Sequence, residues 1–162
     1  MNFKATNAKA KQVVCQGISK GVTVAGAESC TGGLVAKLLT DIPGSSAVFC
    51  GACVTYTNEV KEAVLGVAPE IILRHTEISY ACAEAMAEGA RRTFGSDLAY
   101  STTGYAGPGG GTESDPVGTV YVGISTTEGV SSYRITVPNA TRTQVRNQAA
   151  AFVLEKLLER MQ

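Results

Sequence analysis

The chain has 162 residues, 44% of them hydrophobic and 17% charged, a globular composition with enough length to bury a core without disulfides or metals. Lys+Arg and Asp+Glu balance at 14 each, so no general attraction to nucleic acid or anionic membrane is expected, and any anion must be held by a local site. No apolar run approaches the ~20 residues that span a bilayer, and the opening "MNFKATNAKAKQ" lacks the apolar core of an export signal, so a cytoplasmic protein is expected.

In chain order, residues 7–20 read as an amphipathic helix with Val13, Val14 and Ile18 apolar and Gly21 as its stop. "VTVAGA" (22–27) reads as a strand and "GGLVAKLLTDI" (32–42) as a helix. "PGSS" turns into a strand over 47–56, and "TNEVKEAVLGV" reads as a helix capped by Thr57 or Asn58. The connection containing "LRHTEIS" is read as surface. Residues 79–94 are alanine-rich and helical, 98–103 a strand, and 104–116 a long glycine-rich loop. "VGTVYVGIST" and "VSSYRITV" have the β-branched alternation of an antiparallel pair, and "RTQVRNQAAAFVLEKLLERM" reads as an amphipathic helix. This order predicts one α/β domain over 1–162, a three-layer α/β/α sandwich with a mixed, mostly parallel sheet of about five strands.

The five cysteines, Cys15, Cys30, Cys50, Cys53 and Cys82, read as reduced small residues. Cys50 and Cys53 form a C-x-x-C, but zinc needs further clustered ligands, and the chain has one histidine and no second C-x-x-C. A redox pair usually opens a helix, whereas this one lies in the strand-like "AVFCGACVTYT". No metal or cofactor is expected.

Two glycine-rich segments, 27–33 ("AESCTGG") and 104–112, each follow a strand, and open α/β sheets bind ligands at the carboxyl ends of their strands. Both are therefore expected to border one site. In the first, Ser29, Cys30 and Thr31 are each possible nucleophiles; Thr31 also reads as an N-cap and Cys30 as core. The N–H groups around Cys30 to Gly33 would hold an oxyanion or phosphate. The spacing is not the G-x-S-x-G elbow. With His75 alone in a surface connection, a Ser-His-Asp triad is disfavoured and lysine is the remaining common base. Lys61 falls in the first turn of its helix, where the dipole disfavours an ammonium and partial burial would lower its pKa further; the ordinary alternative is a solvated lysine. The loop "GYAGPGGGT" is neither a Walker A loop nor a dinucleotide turn; it either cradles a phosphate through its N–H groups or is a mobile surface loop. Arg142 and Arg146 share one helix face and either clamp a phosphate or are solvated. Together these features suggest a phosphorylated small molecule beside a Ser/Lys pair.

The segments "AESCTGG", "GSSAVF", "VTYTNEVKEAVLGV", "TTGYAGPGGGTESDPVGTVYVGI" and "TRTQVRNQAA" resemble the C-terminal domain family of the competence/damage-inducible protein CinA, and the resemblance covers nearly the whole chain. It implies the short, stand-alone form of a family whose longer members carry an N-terminal pyrophosphatase-type domain. Active members are nicotinamide-nucleotide amidohydrolases of metal-independent serine type, so the resemblance implies deamidation of nicotinamide mononucleotide. In that family's terms Ser29 would be the nucleophile, Lys61 the base, and Tyr56 a hydroxyl that relays or orients the proton. Cys30, Thr31, Gly32, Gly33 and Asn58 would border the substrate, as would Thr103 and the turn Gly104, Tyr105, Ala106, Gly107. Arg142, with Arg146, would meet the phosphate, and a homo-oligomer is implied. The sequence departs from the family pattern at Tyr105 (usually apolar), Tyr80 (usually acidic), Thr141 (usually aspartate) and Ala52 (commonly glycine). Tyr105 is expected to narrow the pocket, and loss of the aspartate to free Arg142 from an orienting partner. A divergent member that binds a phosphorylated metabolite without turnover is the alternative.

Overall fold

The structure, a computed structural model, describes residues 3–162. Its helices are α1 (Phe3–Lys20), α2 (Leu34–Thr40), α3 (Asn58–Leu65), α4 (Pro69–His75), α5 (Tyr80–Phe94) and α6 (Arg142–Arg160). Its strands are β1 (Val24–Glu28), β2 (Phe49–Val54), β3 (Leu98–Gly104), β4 (Thr119–Ser125) and β5 (Val130–Thr136).

The strands form one sheet in the order β2-β1-β3-β4-β5. β1 pairs parallel with both β2 and β3, while β3–β4 and β4–β5 are antiparallel. Only β4 therefore runs against the others, although the four pairings divide evenly. Alternate side chains of each strand feed two cores, as the period of two requires. On one face Val24, Tyr100, Val122 and Ile124 pack with buried residues of α1, α2 and α6; on the other, Ala25, Ala27 and Ala99 pack under α3 and α5, with Ile71 and Ile72 of α4 at the margin. The expected α/β/α sandwich is what forms.

Terminal signals set several boundaries. Ser79 caps α5 by accepting the Cys82 N–H at 3.1 Å, and Thr141 and Gln144 form a reciprocal capping box at α6. Four details differ from expectation. The segment read as a plain connection contains α4, opened by Pro69 at its first turn. Ile18 of α1 faces outward and is half exposed. A 3-10 turn (Ser45–Ala47) precedes β2, shortening that strand. Finally, α2 begins at Leu34, with Gly33 rather than Thr31 as its N-cap.

The chain leaves β1 toward β2 and leaves β3 toward β4, on opposite sides of the adjacent β1–β3 pair. Connections that diverge from neighbouring strands open a crevice at their carboxyl ends.

Candidate active site at the carboxyl end of the first strand

Ser29 is the first residue past β1, and its N–H extends the ladder by donating to the Thr102 carbonyl at 2.9 Å. The turn that follows closes with Gly32 N–H to the Ser29 carbonyl at 3.1 Å, and Gly32 and Gly33 take left-handed backbones (φ 59° and 88°) that favour glycine. Two long-range contacts hold it. Arg146 of α6 donates from Nε and Nη2 to the Thr31 carbonyl at 3.2 and 2.7 Å. Glu28, fully buried, accepts from Thr31 Oγ1 (2.6 Å), Ala36 N–H (2.8 Å), Val35 N–H (3.3 Å) and Tyr100 Oη (3.0 Å). Because Thr31 gives its proton to Glu28, Thr102 must donate in the 2.7 Å contact between the two threonine hydroxyls. Tyr100 reaches Glu28 across the sheet because Gly26 has no side chain: a Cβ there would lie 2.1 Å from the Tyr100 ring.

This arrangement corrects two expectations. Thr31 does not cap α2; its side chain belongs to the Glu28 network. Of the N–H groups from Cys30 to Gly33 expected to hold an oxyanion, that of Gly32 is taken by the Ser29 carbonyl, while those of Val35 and Ala36 at the start of α2 are taken by Glu28. The N–H groups of Cys30 and Thr31, by contrast, take no part in the turn's carbonyl hydrogen bonds.

Lys61 reaches the turn from the first turn of α3 and is 1% exposed. Its Nζ donates to the carbonyls of Thr55 (3.0 Å) and Tyr56 (3.4 Å) and lies 3.5 Å from Ser29 Oγ. Burial lowers its pKa from the usual lysine value, opposed more weakly by the Glu77 and Glu59 carboxylates. The neighbouring thiol goes the other way. Burial pushes Cys30 up to about 12, so it stays protonated at neutral pH, which leaves Ser29 as the hydroxyl facing the amine.

These groups border a cavity of about 150 Å³. Ser29, Cys30 and Lys61 line its buried end, Thr103 and Gly104 bring in the end of β3, and Tyr56 and Arg142 stand at its exposed edge. The remaining wall is Glu77 and Ile78, from the connection between α4 and α5. Neither was singled out from the sequence; a carboxylate between two helices carries no periodicity to betray it. A larger cavity of about 460 Å³ at the opposite end of the sheet, beside Asp97, Leu98 and Arg160, is lined by neither a serine nor a lysine.

The other expected residues are placed as follows. Tyr56 Oη accepts a hydrogen bond from Arg142 Nη2 at 2.8 Å, and no contact joins that hydroxyl to Ser29 or Lys61 among the described residues. Arg142 also donates to the Gly107 carbonyl at 2.8 Å, so it is oriented and not free as expected. Thr103 donates to the Glu77 carbonyl at 2.7 Å. Arg146 is spent on the Thr31 carbonyl and does not line the cavity, nor do Thr31, Gly32, Gly33 and Asn58. Of the glycine-rich turn only Gly104 lines it; Tyr105, Ala106 and Gly107 do not, and the Tyr105 ring lies over Gly110. Tyr80 stacks edge-on against Tyr121 with ring centroids 4.7 Å apart. His75 is exposed at the end of α4, and Cys50 and Cys53 lie on edge strand β2. Among the described residues no group of three or more His, Cys, Asp or Glu is placed to hold a metal ion, and no helix is long and apolar enough to cross a membrane.

Fold and site together define an α/β/α protein with a buried serine–lysine pair at the switch point of its sheet. The sequence matches the CinA C-terminal domain over residues 6–161, and the chain belongs to that family. It is 51% identical over 143 residues to a CinA-like protein of Myxococcus xanthus, an alignment covering 87% of this chain and 34% of the relative. It is 45% identical over 140 residues to the nicotinamide-nucleotide amidohydrolase PncC of Shewanella oneidensis, covering 86% of this chain and 33% of that protein. The chain thus spans about a third of the length of these curated relatives. Among solved structures, the competence/damage inducible protein CihA of Agrobacterium tumefaciens superposes with a TM-score of 0.93 at 36% identity, covering 96% of this chain and 94% of that one. A CinA superfamily protein of Klebsiella pneumoniae gives 0.92 at 31% identity, covering 96% and 97%.

Proposed function

We propose that the protein hydrolyses the carboxamide of nicotinamide mononucleotide, releasing nicotinic acid mononucleotide and ammonia, with Ser29 as nucleophile and Lys61 as base. The observation that carries this reading is the Lys61 environment. A neutral amine has two N–H groups and one lone pair. The Thr55 and Tyr56 carbonyls accept the two N–H groups, and the direction left over faces Ser29 Oγ. Burial supports the neutral form.

The Ser29 proton passes to Lys61 Nζ as Oγ attacks the carboxamide carbon. The Cys30 and Thr31 N–H groups are the donors that the developing oxyanion would meet. The Lys61 ammonium then protonates the departing nitrogen, which leaves as ammonia from an acyl-serine. Water, giving its proton to Lys61, releases the carboxylate and restores Ser29. A cavity of about 150 Å³ is smaller than the ~300 Å³ at which pockets begin to enclose whole ligands. It fits the amide-bearing ring, with the ribose phosphate directed out toward Arg142, whose present partners are neutral oxygens that a phosphate would outcompete.

The relative named as a nicotinamide-nucleotide amidohydrolase supports the choice of substrate. The test is release of ammonia and nicotinic acid mononucleotide by the parent protein, Ser29→Ala and Lys61→Ala. Turnover by the parent that falls by roughly 10³-fold or more in both variants is expected. A folded parent that binds the mononucleotide without releasing ammonia would overturn the hydrolase reading in favour of a binding protein.

A further inference from the structure

Glu77 is fixed in place by its backbone and left unpartnered by its side chain. Its carbonyl accepts from Thr103 Oγ1 at the end of β3. The flanking chain is pinned by Thr76 Oγ1, which accepts the Ile78 N–H at 3.3 Å, and by Ser79 Oγ, which donates to the Thr76 carbonyl at 3.0 Å. Among the described residues nothing donates a hydrogen bond to the Glu77 carboxylate, and no ion pair joins it to Arg142, although both line the same cavity. Arg142 bonds only neutral oxygens. One small cavity therefore holds a positive and a negative group that do not neutralise each other.

A site built for an anion alone has no use for a carboxylate, which repels the ligand. The negative charge also works against the amine, since Glu77 favours the charged form of Lys61. Both penalties vanish if the ligand brings a cation to Glu77 and an anion to Arg142. We infer that Glu77 selects substrates whose amide-bearing ring carries a positive charge, so that the site takes a zwitterion: a quaternised aromatic amide at the Glu77 wall and a phosphate at Arg142. This rests on the amidohydrolase reading of the site. A pyridinium ring joined to ribose phosphate has that charge pattern. Its arrival does more than bind. By neutralising Glu77 and adding a cation near Lys61, it favours the free amine that attack on the amide requires. Glu77 is thus a specificity and positioning residue, and the substrate completes the electrostatics of the base.

Nicotinamide mononucleotide and its 1,4-dihydro form share amide, sugar and phosphate and differ in ring charge, so they separate this role from a structural one. Calorimetric titrations of both into Ser29→Ala and Ser29→Ala/Glu77→Gln are the test. Glu77→Gln is expected to weaken the cationic mononucleotide by about tenfold and the neutral dihydro form by less than about twofold. Glu77→Asp, keeping the charge, is expected to restore part of the preference. Equal losses for the two ligands, or no loss for either, would overturn the inference while parent turnover still upheld the amidohydrolase reading. A parent that neither binds nor deamidates the mononucleotide would remove both.

Discussion

Among the acidic and basic side chains of the described residues two, Glu28 and Lys61, are fully buried, and both lie beside Ser29. Their surroundings are opposite in kind. Glu28 receives four donors, two of them N–H groups of α2, so its desolvation is offset bond by bond and it ties β1, β3 and α2 together. Lys61 meets two carbonyls and a hydroxyl, and no carboxylate pairs with it among the described residues. Equal burial therefore gives unequal results. A carboxylate that gathers four donors becomes scaffold; an amine buried among neutral acceptors, with no counter-charge, gives up its proton more readily.

Exchanging the partners for nothing should separate the two roles most sharply. Lys61→Met is expected to lower ammonia release by about 10³-fold or more, equivalent to about 4 kcal/mol of barrier, while leaving a cooperative fold. Glu28→Ala strands the Tyr100 and Thr31 hydroxyls and two helix N–H groups, and is expected to cost about 3–5 kcal/mol of stability. Urea unfolding beside the ammonia assay checks both. The distinction collapses if Glu28→Ala unfolds at the parent's midpoint or if Lys61→Met keeps its activity.

The same contrast has a pH signature of smaller size. If the amine must be neutral, kcat/KM rises with pH, and its midpoint in the free protein lies below the ~10.4 of an ordinary lysine. Stability follows with a fixed sign. Burial lowers the folded pKa of Lys61 below its unfolded value, so between the two values the unfolded chain binds the extra proton. The penalty is full below the folded pKa and relaxes as pH rises through that window. The parent should therefore gain stability relative to Lys61→Met as pH is raised toward the unfolded lysine value. A stability difference that stays flat across that range would mean that the Lys61 amine is not desolvated.

Much of this was legible in the sequence, and the misses share a cause. The alternation of β4 and β5, the extents of α5 and α6, and the strand-to-turn position of Ser29 are local patterns, and each falls within about two residues of its expected place. Lys61 stood out because a lysine in a helix's first turn is locally unfavourable, and that anomaly survives in three dimensions. Thr31 looks like a cap in the sequence because the true partner of α2's N–H groups, Glu28, reaches them from seven and eight residues away. Arg146 looked like a phosphate ligand because its bond to Thr31, 115 residues earlier, leaves no trace in spacing. The short helix α4 buries no residue fully and so lacked an apolar stripe to reveal it. Glu77 follows Thr76, whose left-handed backbone (φ 68°) threonine does not advertise.

The smallest expected effects come from the residues that looked most disruptive to the site. Tyr105, expected to narrow the pocket, does not border the cavity, and neither does Tyr80. The Tyr80 ring packs on Tyr121, whose hydroxyl donates to Asp115 at 2.8 Å, and Arg134 donates to the same carboxylate oxygen at 3.0 Å. Tyr80→Glu should lose that aromatic pair, a cost of about 1 kcal/mol in stability. Tyr105→Ile should remove the ring from above Gly110. Both should leave kcat and KM for nicotinamide mononucleotide within about twofold of the parent, because no side chain touching Ser29 or Lys61 moves. Steady-state kinetics on the two variants decides it. A KM shifted tenfold by Tyr105→Ile alone would mean that the glycine-rich loop folds over bound substrate and brings the ring to it. The division between a satisfied scaffold and a reactive lysine would then have to include that loop as a third, ligand-dependent part.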